Sequence, residues 1–324
     1  MSLDILGGMF SRRAALALPL LLTGCNRSMK KRIAVIPKGR AHIFWQSVHA
    51  GAIAASRENG IDIIWNGPTG ETDFNGQIQI VEAMINQHVD AICLAPIDRD
   101  AMVGVVDRAA KQNIPVVIWD SPVNTQNFVS QVATDNYAAG QLAAARISEL
   151  LNGKGEVAIV AVQVGAASTM AREQGFEEAI KKNSPGITVV DKRYGNADFA
   201  QSLAVAENLL TAHPKLSALF ASNESSSVGA SQALKSRHSK VKLVGFDSSP
   251  SLIEDVKSGV IDALVVQDPF KMGYEAVKAA VEKMNGGTPE KINNLPPAVV
   301  TKTNLSDPEI DKRLHPDLDK YLKS

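Results

Sequence analysis

Short, wholly apolar runs alternate with longer amphipathic stretches along this chain. RIAVIP (32–37) has the character of a strand, and an amphipathic stretch follows from about Phe44 to Glu58. IDIIWNG comes next, then a helical pattern from about Asp73 to Gln87, AICLAP, a second from about Asp98 to Lys111, and IPVVIWD. After Asp135 the alternation restarts. EVAIVAV (156–162), a helix through Arg172 to Lys181, ITVVDKRY and a helix from Phe199 to Thr211 lead to ALFASN. A helix from about Ser226 to Lys235, KLVGFD, a helix around Leu252 to Lys257 and IDALVVQD complete the series. Strands alternating with helices of this length predict βαβ units and mostly parallel sheets. Runs such as Val116, Val117, Ile118 and Trp119 are apolar on both faces, as burial between two helix layers requires. Asp198 with Gln201, and Ser251 with Glu254, read as capping boxes at helix starts.

The rhythm predicts two α/β sheets of the same construction. VVIWDSP (116–122) and KLVGFDSSP (242–250) show the same grammar, an apolar strand that ends on an aspartate. Beyond Gln267 come one amphipathic helix, PFKMGYEAVKAAVEKMNGG, and one possible strand in PPAVVTKTNL. A lone helix and strand cannot make a domain, so this part returns to the earlier lobes and the chain crosses between them several times. The expected division is a leader over 1–25, an N-terminal lobe over 30–134 with 268–298, and a C-terminal lobe and tail over 135–267 with 299–324. The closing SDPEIDKRLHPDLDKYLKS is polar and reads as a surface extension.

Composition narrows the class. Apolar residues are 45% of the 324 and charged ones 21%, the balance of a core-forming globular protein. Lys plus Arg equals Asp plus Glu at 34 each, which argues against a basic nucleic-acid face. The N-terminus reads as an address. Arg12-Arg13 precedes an apolar stretch from Ala14 to Leu22, too short to span a bilayer and suited to the core of an export signal. Leu22-Thr23-Gly24-Cys25 resembles the lipobox of bacterial lipoproteins, which would make Cys25 the lipidated first residue of the mature chain. Ser11-Arg12-Arg13 partly resembles a twin-arginine signal, and Met9 is a second candidate start. The other cysteine, Cys93 in AICLAP, reads as a buried core residue, so no disulfide is expected.

In open α/β sheets ligands gather at the carboxyl ends of strands. The residues just past those ends are Lys38, His42, Phe44, Trp45, Asp120 and Ser121 in the first half. In the second they are Arg172, Phe199, Asn223, Asp247 and Gln267. Carboxylates accept from vicinal hydroxyls, Arg, Asn and Gln donate to other oxygens, and aromatic rings cover the CH face of a sugar, so the set suits a polyhydroxylated ligand. Seven of these residues also have a plainer reading. Asp120 and Asp247 could cap the next helix, Phe44 and Trp45 could be core, and Arg172 could be solvated or part of an internal ion pair. His42 could be a loop hydrogen-bonder and Asn223 a turn residue. Their shared position at strand ends is the stronger signal. Enzyme signatures are missing: there is no G-x-S-x-G elbow, phosphate-binding loop, H-E-x-x-H or Cys/His cluster. GPTGETDFNG reads as a loop entering a helix rather than a dinucleotide turn. No catalytic residue, metal or cofactor is expected.

From RIAVIP to about Val300 the chain resembles the periplasmic sugar-binding proteins of bacterial ABC importers, type I binding proteins typified by ribose-binding protein. The stretches that carry the resemblance are IPVVIWD, VATDNYAAGQLAA, MAREQGF, LLTAHPKLSALFASN, VKLVGFD and DALVVQDP. It implies two Rossmann-like lobes joined by a three-strand hinge and closing on a sugar, with the closed form read by a membrane permease. Asp120, Arg172, Phe199, Asn223, Asp247 and Gln267 match the ribose pocket in type, and Phe44 matches one of its two stacking aromatics. Trp45 replaces the other, Lys38 stands where a small hydroxyl residue is usual, and His42 stands where an asparagine is. Ser121 occupies the place of an arginine. Trading a forked cation for a flexible one leaves the ligand open among pentoses, hexoses, sugar alcohols and related metabolites. The implied protein is a monomeric, membrane-anchored lipoprotein that delivers solute to an ABC permease and binds no nucleic acid. A ligand-presenting receptor for chemotaxis or metabolite signalling is the alternative. A lactose-repressor type regulator uses the same lobes, but the segment before Arg32 reads as an export signal rather than a helix-turn-helix.

Overall fold

The structure, a computed structural model, describes residues 30–323. The lipidation and export readings at Cys25 and upstream lie outside the described residues. The first sheet is built from β1 (Arg32–Ile36), β2 (Asp62–Trp65), β3 (Ala91–Leu94), β4 (Val116–Trp119), β5 (Ser130–Thr134) and β11 (Ile292–Leu295). Its order is β11-β5-β4-β3-β1-β2, and every neighbouring pair is parallel. Helices α1 (Ile43–Asn59), α2 (Phe74–Asn86), α3 (Val103–Lys111) and α9 (Pro269–Met284) cover its faces.

The second sheet holds β6 (Lys154–Ala161), β7 (Gly186–Tyr194), β8 (Leu216–Ala221), β9 (Lys242–Phe246), β10 (Ala263–Val266) and β12 (Ala298–Val300). The order β12-β10-β9-β8-β6-β7 repeats that of the first sheet, with β12 antiparallel to β10. Its helices are α4 (Asn136–Leu150), α5 (Ala167–Asn183), α6 (Phe199–Ala212), α7 (Glu224–Ser236) and α8 (Pro250–Ser258). The chain passes between lobes three times, from β5 to α4, from β10 to α9 and from β11 to β12.

Period-two alternation sorts each apolar strand onto two cores. Ile33, Val35, Cys93, Val117 and Trp119 pack with Val48 of α1 and Met272 of α9. Their neighbours Ala34, Ile36, Ile92, Leu94, Val116 and Ile118 pack with Val81 of α2 and Val105 of α3. The C-terminal lobe repeats the arrangement, with Leu219 and Leu243 on one side of the sheet and Phe220 and Val244 on the other. Both faces of these strands are covered, which explains their unbroken hydrophobicity.

Several local readings change. The pattern passes over β5, α4 and β11, because SQVAT and INNL are too polar and short to stand out and α4 owes its packing to small alanines. Helix α3 begins at Val103 rather than Asp98, whose carboxylate instead turns the chain by accepting from the N–H groups of Asp100 and Ala101. Helix α8 is capped by Ser249, which accepts from Leu252 N, and not by Ser251. At α6 the cap is Asp198, accepting from Gln201 N. The polar C-terminal stretch is more than a surface extension. In α10 (Pro308–Leu314), Ile310 and Leu314 enter the C-terminal lobe's core. From α11 (Leu318–Leu322), Lys320 and Tyr321 offer carbonyls to Arg57 of α1 in the other lobe.

One close approach matters for the site. A Cβ on Gly140 of α4 would lie 2.0 Å from the carbonyl oxygen of Arg172 in α5, and one on Gly175 would lie 2.2 Å from that of Tyr137. The two helices therefore touch backbone to backbone at the turn that carries Arg172. Gly140→Ala is expected to destabilise the protein by about 1–3 kcal/mol, the usual range for overpacking. Urea unfolding measures this; an unchanged midpoint would show that the helices can separate freely.

Candidate functional site

The carboxyl ends of the two sheets face each other, and the same backbone device finishes β4 and β9. Asp120 has φ 62° and Asp247 φ 65°, both left-handed, a conformation Asp tolerates better than most residues. The N–H of Asp120 donates to Val132 O at 3.0 Å, and that of Asp247 to Val265 O at 2.9 Å. Each main chain thus completes the ladder with the neighbouring strand while the side chain turns into the cleft. The helix-capping alternative fails for both, since Ser249 caps α8 and β5 follows Asp120 with no helix between them. Asp247 accepts instead from Gln267 Nε2 at 2.7 Å and from the N–H of Glu224, the first residue of α7, at 3.0 Å. Asp120 pairs with Lys38 Nζ at 2.6 Å.

Between the lobes lies a cavity of about 30 Å³, lined from the N-terminal side by Lys38, His42, Phe44, Trp45, Glu71 and Asp120. From the other side come Ser168, Thr169, Arg172, Asn223, Asp247 and Gln267. A larger hollow of about 590 Å³, lined by Lys31, Asp90 and Pro115 among others, opens at the amino ends of the first sheet's strands. The convergence of charged side chains is in the small interlobe cavity. Nine of the eleven residues read from strand ends line it. Ser121 stands behind, fully buried, accepting from Lys38 Nζ and from Ser168 N. Phe199 is 36% exposed and meets the cavity only through an edge contact with His42 at 5.0 Å.

The plainer readings are partly right. Phe44 and Trp45 are both buried core residues and cavity wall, packed edge to face at 4.8 Å. Asn223 caps α7 by accepting from Ser226 N. Arg172 is buried, donates to Asn136 Oδ1 and Ser222 O, lies 3.8 Å above the Phe246 ring and stands 3.9 Å from Asp247. Gln267 is oriented by Thr134, whose hydroxyl donates to Oε1 at 2.7 Å.

Sequence reasoning missed Glu71, Ser168, Thr169 and Glu224. Glu71 sits in GPTGETDFNG, past the carboxyl end of β2, where the strand-end rule would have found it. Glu224 directly follows Asn223 past the end of β8, so the same rule reached its neighbour; its partner in the other lobe is what the sequence does not show. The N-cap of α1, His42, makes no side-chain cap bond. Glu224 reaches across and accepts from Ile43 N at 3.4 Å and Phe44 N at 3.3 Å, supplying acceptors that a helix start needs. Lys38 also crosses the cleft to Ser168 Oγ, and Gln163 Nε2 donates to Glu71 O.

The charges are matched. Burial opposes a charge on His42, but the hydrogen bond and charge of Glu71, with Glu224 and Asp247 nearby, outweigh it and raise its pKa to about 9. Its Nδ1 meets Glu71 Oε1 at 2.9 Å and its Nε2 meets Ala197 O at 3.1 Å, so an imidazolium is satisfied at both nitrogens. Burial would raise Glu71, but His42, Lys38 and Trp45 hold it below the usual carboxylate range. Burial pushes Glu224 up to about 7 against the pull of His42. Four carboxylates, Glu71, Asp120, Glu224 and Asp247, thus face three cations, Lys38, His42 and Arg172, and the cleft has no surplus positive charge for a phosphate or sugar acid.

Two α/β lobes with matching sheets, three crossings and a closed polar cleft define the architecture of type I periplasmic binding proteins. The chain belongs to this family: residues 33–288 match the model described as the periplasmic binding protein domain. It is similar to the D-ribose/D-allose-binding protein of Pseudomonas aeruginosa, 31% identical over 84% of this chain and 88% of that one. The D-allose-binding periplasmic protein of Escherichia coli is also 31% identical, over 78% and 85%. A carbohydrate transporter solute-binding protein from Agrobacterium radiobacter, solved with D-arabinose, superposes with a TM-score of 0.87 at 34% identity, covering 89% of this chain and all of that one. These relatives are sugar-binding transport proteins rather than enzymes.

Closure gathers Glu224 and His42 into the interior. In this arrangement their pKa values stand at about 7 and about 9, above the ordinary 4.5 and 6.5, and opening the cleft to water is expected to return both toward the ordinary values. Both shifts are upward, so closing takes up protons. The stabilisation they give the closed form is complete below the open-form values and is lost as pH rises through about 7 and then about 9. Ligand affinity should therefore fall several-fold between pH 6 and pH 9, with net proton uptake near neutrality. Calorimetry in buffers of different ionisation enthalpy tests this, and proton release on binding would contradict it.

Proposed function

We propose that this protein captures a neutral sugar or sugar alcohol between its lobes and delivers it to the permease of an ABC importer. The observation that carries this reading is the pairing of Asp120 and Asp247, two strand-end carboxylates in the same left-handed geometry, on opposite walls of one closed cavity. Each accepts from hydroxyls, Arg172, Asn223 and Gln267 add donors, and Phe44 and Trp45 offer aromatic surface. Ligand bonds to both walls stabilise the closed state over the open one, which is hinge closure driven by differential affinity. The moving bodies are residues 30–134 with 268–298 and residues 135–267 with 299–324.

The names of the similar proteins favour aldoses, and D-allose, D-ribose and D-arabinose are the first to test. Lys38, His42, Trp45 and Ser121 depart from the ribose pattern, which favours a ligand other than ribose itself. The lipobox-like Leu22-Thr23-Gly24-Cys25 supports an extracytoplasmic lipoprotein tethered through Cys25, acting as a monomer.

A thermal-shift screen of the chain from Asn26 onward against sugars, polyols and sugar acids should give stabilisation by neutral sugars alone. Asp120→Asn and Asp247→Asn keep the side-chain shape and tolerate the left-handed backbone. Each should weaken the best sugar by about 10- to 100-fold, the worth of a charge-assisted bond. Unchanged affinity in both variants would overturn the reading.

A further inference from the structure

Glu71 comes from the loop between β2 and α2, a part of the chain that contributes nothing else to the cavity wall. Its side chain is only 12% exposed. One carboxylate oxygen, Oε1, takes two donors, Trp45 Nε1 at 2.8 Å and His42 Nδ1 at 2.9 Å. Its main-chain oxygen accepts from Gln163 of the opposite lobe at 2.8 Å. Gly39 makes room for it: a Cβ there would stand 2.9 Å from Glu71 Cγ. The group is therefore seated in an alcove and held at three points. Oε2 receives no hydrogen bond from the protein, although the residue lines the cavity.

We infer that Glu71 is a specificity-determining ligand contact, its Oε2 accepting a hydroxyl of the bound sugar. The inference rests on the sugar-capture reading and adds to it a third carboxylate acceptor, beside Asp120 and Asp247, at a different point around the ligand. A counterion for His42 needs only one oxygen, and Oε1 already supplies it. Oε2 has no protein donor, so in a half-buried carboxylate on the cavity wall its donor is the ligand or water. Because His42 and Lys38 keep Glu71 ionised, it accepts and cannot donate. It therefore selects for a free hydroxyl at one ring position and against a deoxy or ether group there. A site built around a hydroxyl rejects the analogue that lacks it far better than an apolar wall rejects an extra one.

The test takes the sugar that most stabilises the wild type, with its set of monodeoxy analogues, and measures Kd by calorimetry for wild type and Glu71→Gln. Gln keeps the length and an acceptor for Trp45. The variant should bind the parent sugar about 10- to 100-fold more weakly. One deoxy analogue, already weak with the wild type, should bind both proteins within about threefold, because the hydroxyl that Glu71 reads is absent from it. Glu71→Asp, which keeps the charge and withdraws it by one methylene, should show the same pattern and serves if Glu71→Gln folds poorly. Equal weakening of the parent and every deoxy analogue would reduce Glu71 to a support for His42 and Trp45 and overturn the inference, as would no weakening at all. If the wild type binds no sugar, the sugar-capture reading itself fails; if it binds sugar and the variants keep its deoxy profile, only the role of Glu71 fails.

Discussion

Charge cannot lie unpaired inside a protein, and this cleft buries seven ionisable side chains: Lys38, His42, Glu71, Asp120, Arg172, Glu224 and Asp247. Leaving one such group without a partner costs several kcal/mol. Most of the geometry around the cavity answers that demand. Lys38 faces Asp120, His42 faces Glu71, and Arg172 approaches Asp247. Glu224 reaches into the other lobe, where its oxygens accept from the first turn of α1. Part of the polar pairing is thus built into the contact between the lobes.

That coupling explains why a closed cleft can still discriminate. A ligand does not supply the whole free energy of closing, since Lys38–Ser168, Gln163–Glu71 and Glu224–α1 contacts join the lobes directly. What the ligand must satisfy is the remaining capacity of groups already fixed by the protein. Asp120 and Asp247 have their backbones tied to the next strand, Gln267 is oriented by Thr134, and Glu71 is held by Trp45 and His42. Prepaid order of this kind reduces the entropy lost on binding and turns small differences between sugars into differences in affinity.

Much of the fold was legible because a strand buried on both faces must be apolar throughout, and VVIW, AICL and ALVV are. The exceptions share a cause. INNL is the edge strand and SQVAT its neighbour, and each leads into a crossing between lobes, where polar residues are tolerated and the pattern fades. The strand-end rule located Asp120, Asp247 and Gln267 because position along the sheet is a local property, whereas Arg172 reaches the cavity from inside α5. The rule overreached at Ser121 and Phe199, which follow strand ends but are turned behind or beside the cavity.

The sequence by itself determined the two parallel-sheet lobes, their internal resemblance and the delivery of a carboxylate at the end of β4 and of β9. These follow from periodicity and from chain-local geometry. Only the tertiary structure decided which groups meet: that Lys38 pairs with Asp120 and His42 with Glu71 inside the first lobe, and that Glu224 of the second lobe serves the start of a helix 180 residues away in the chain. Such pairings join separate strand-end loops, or separate lobes, and no spacing within one segment encodes them.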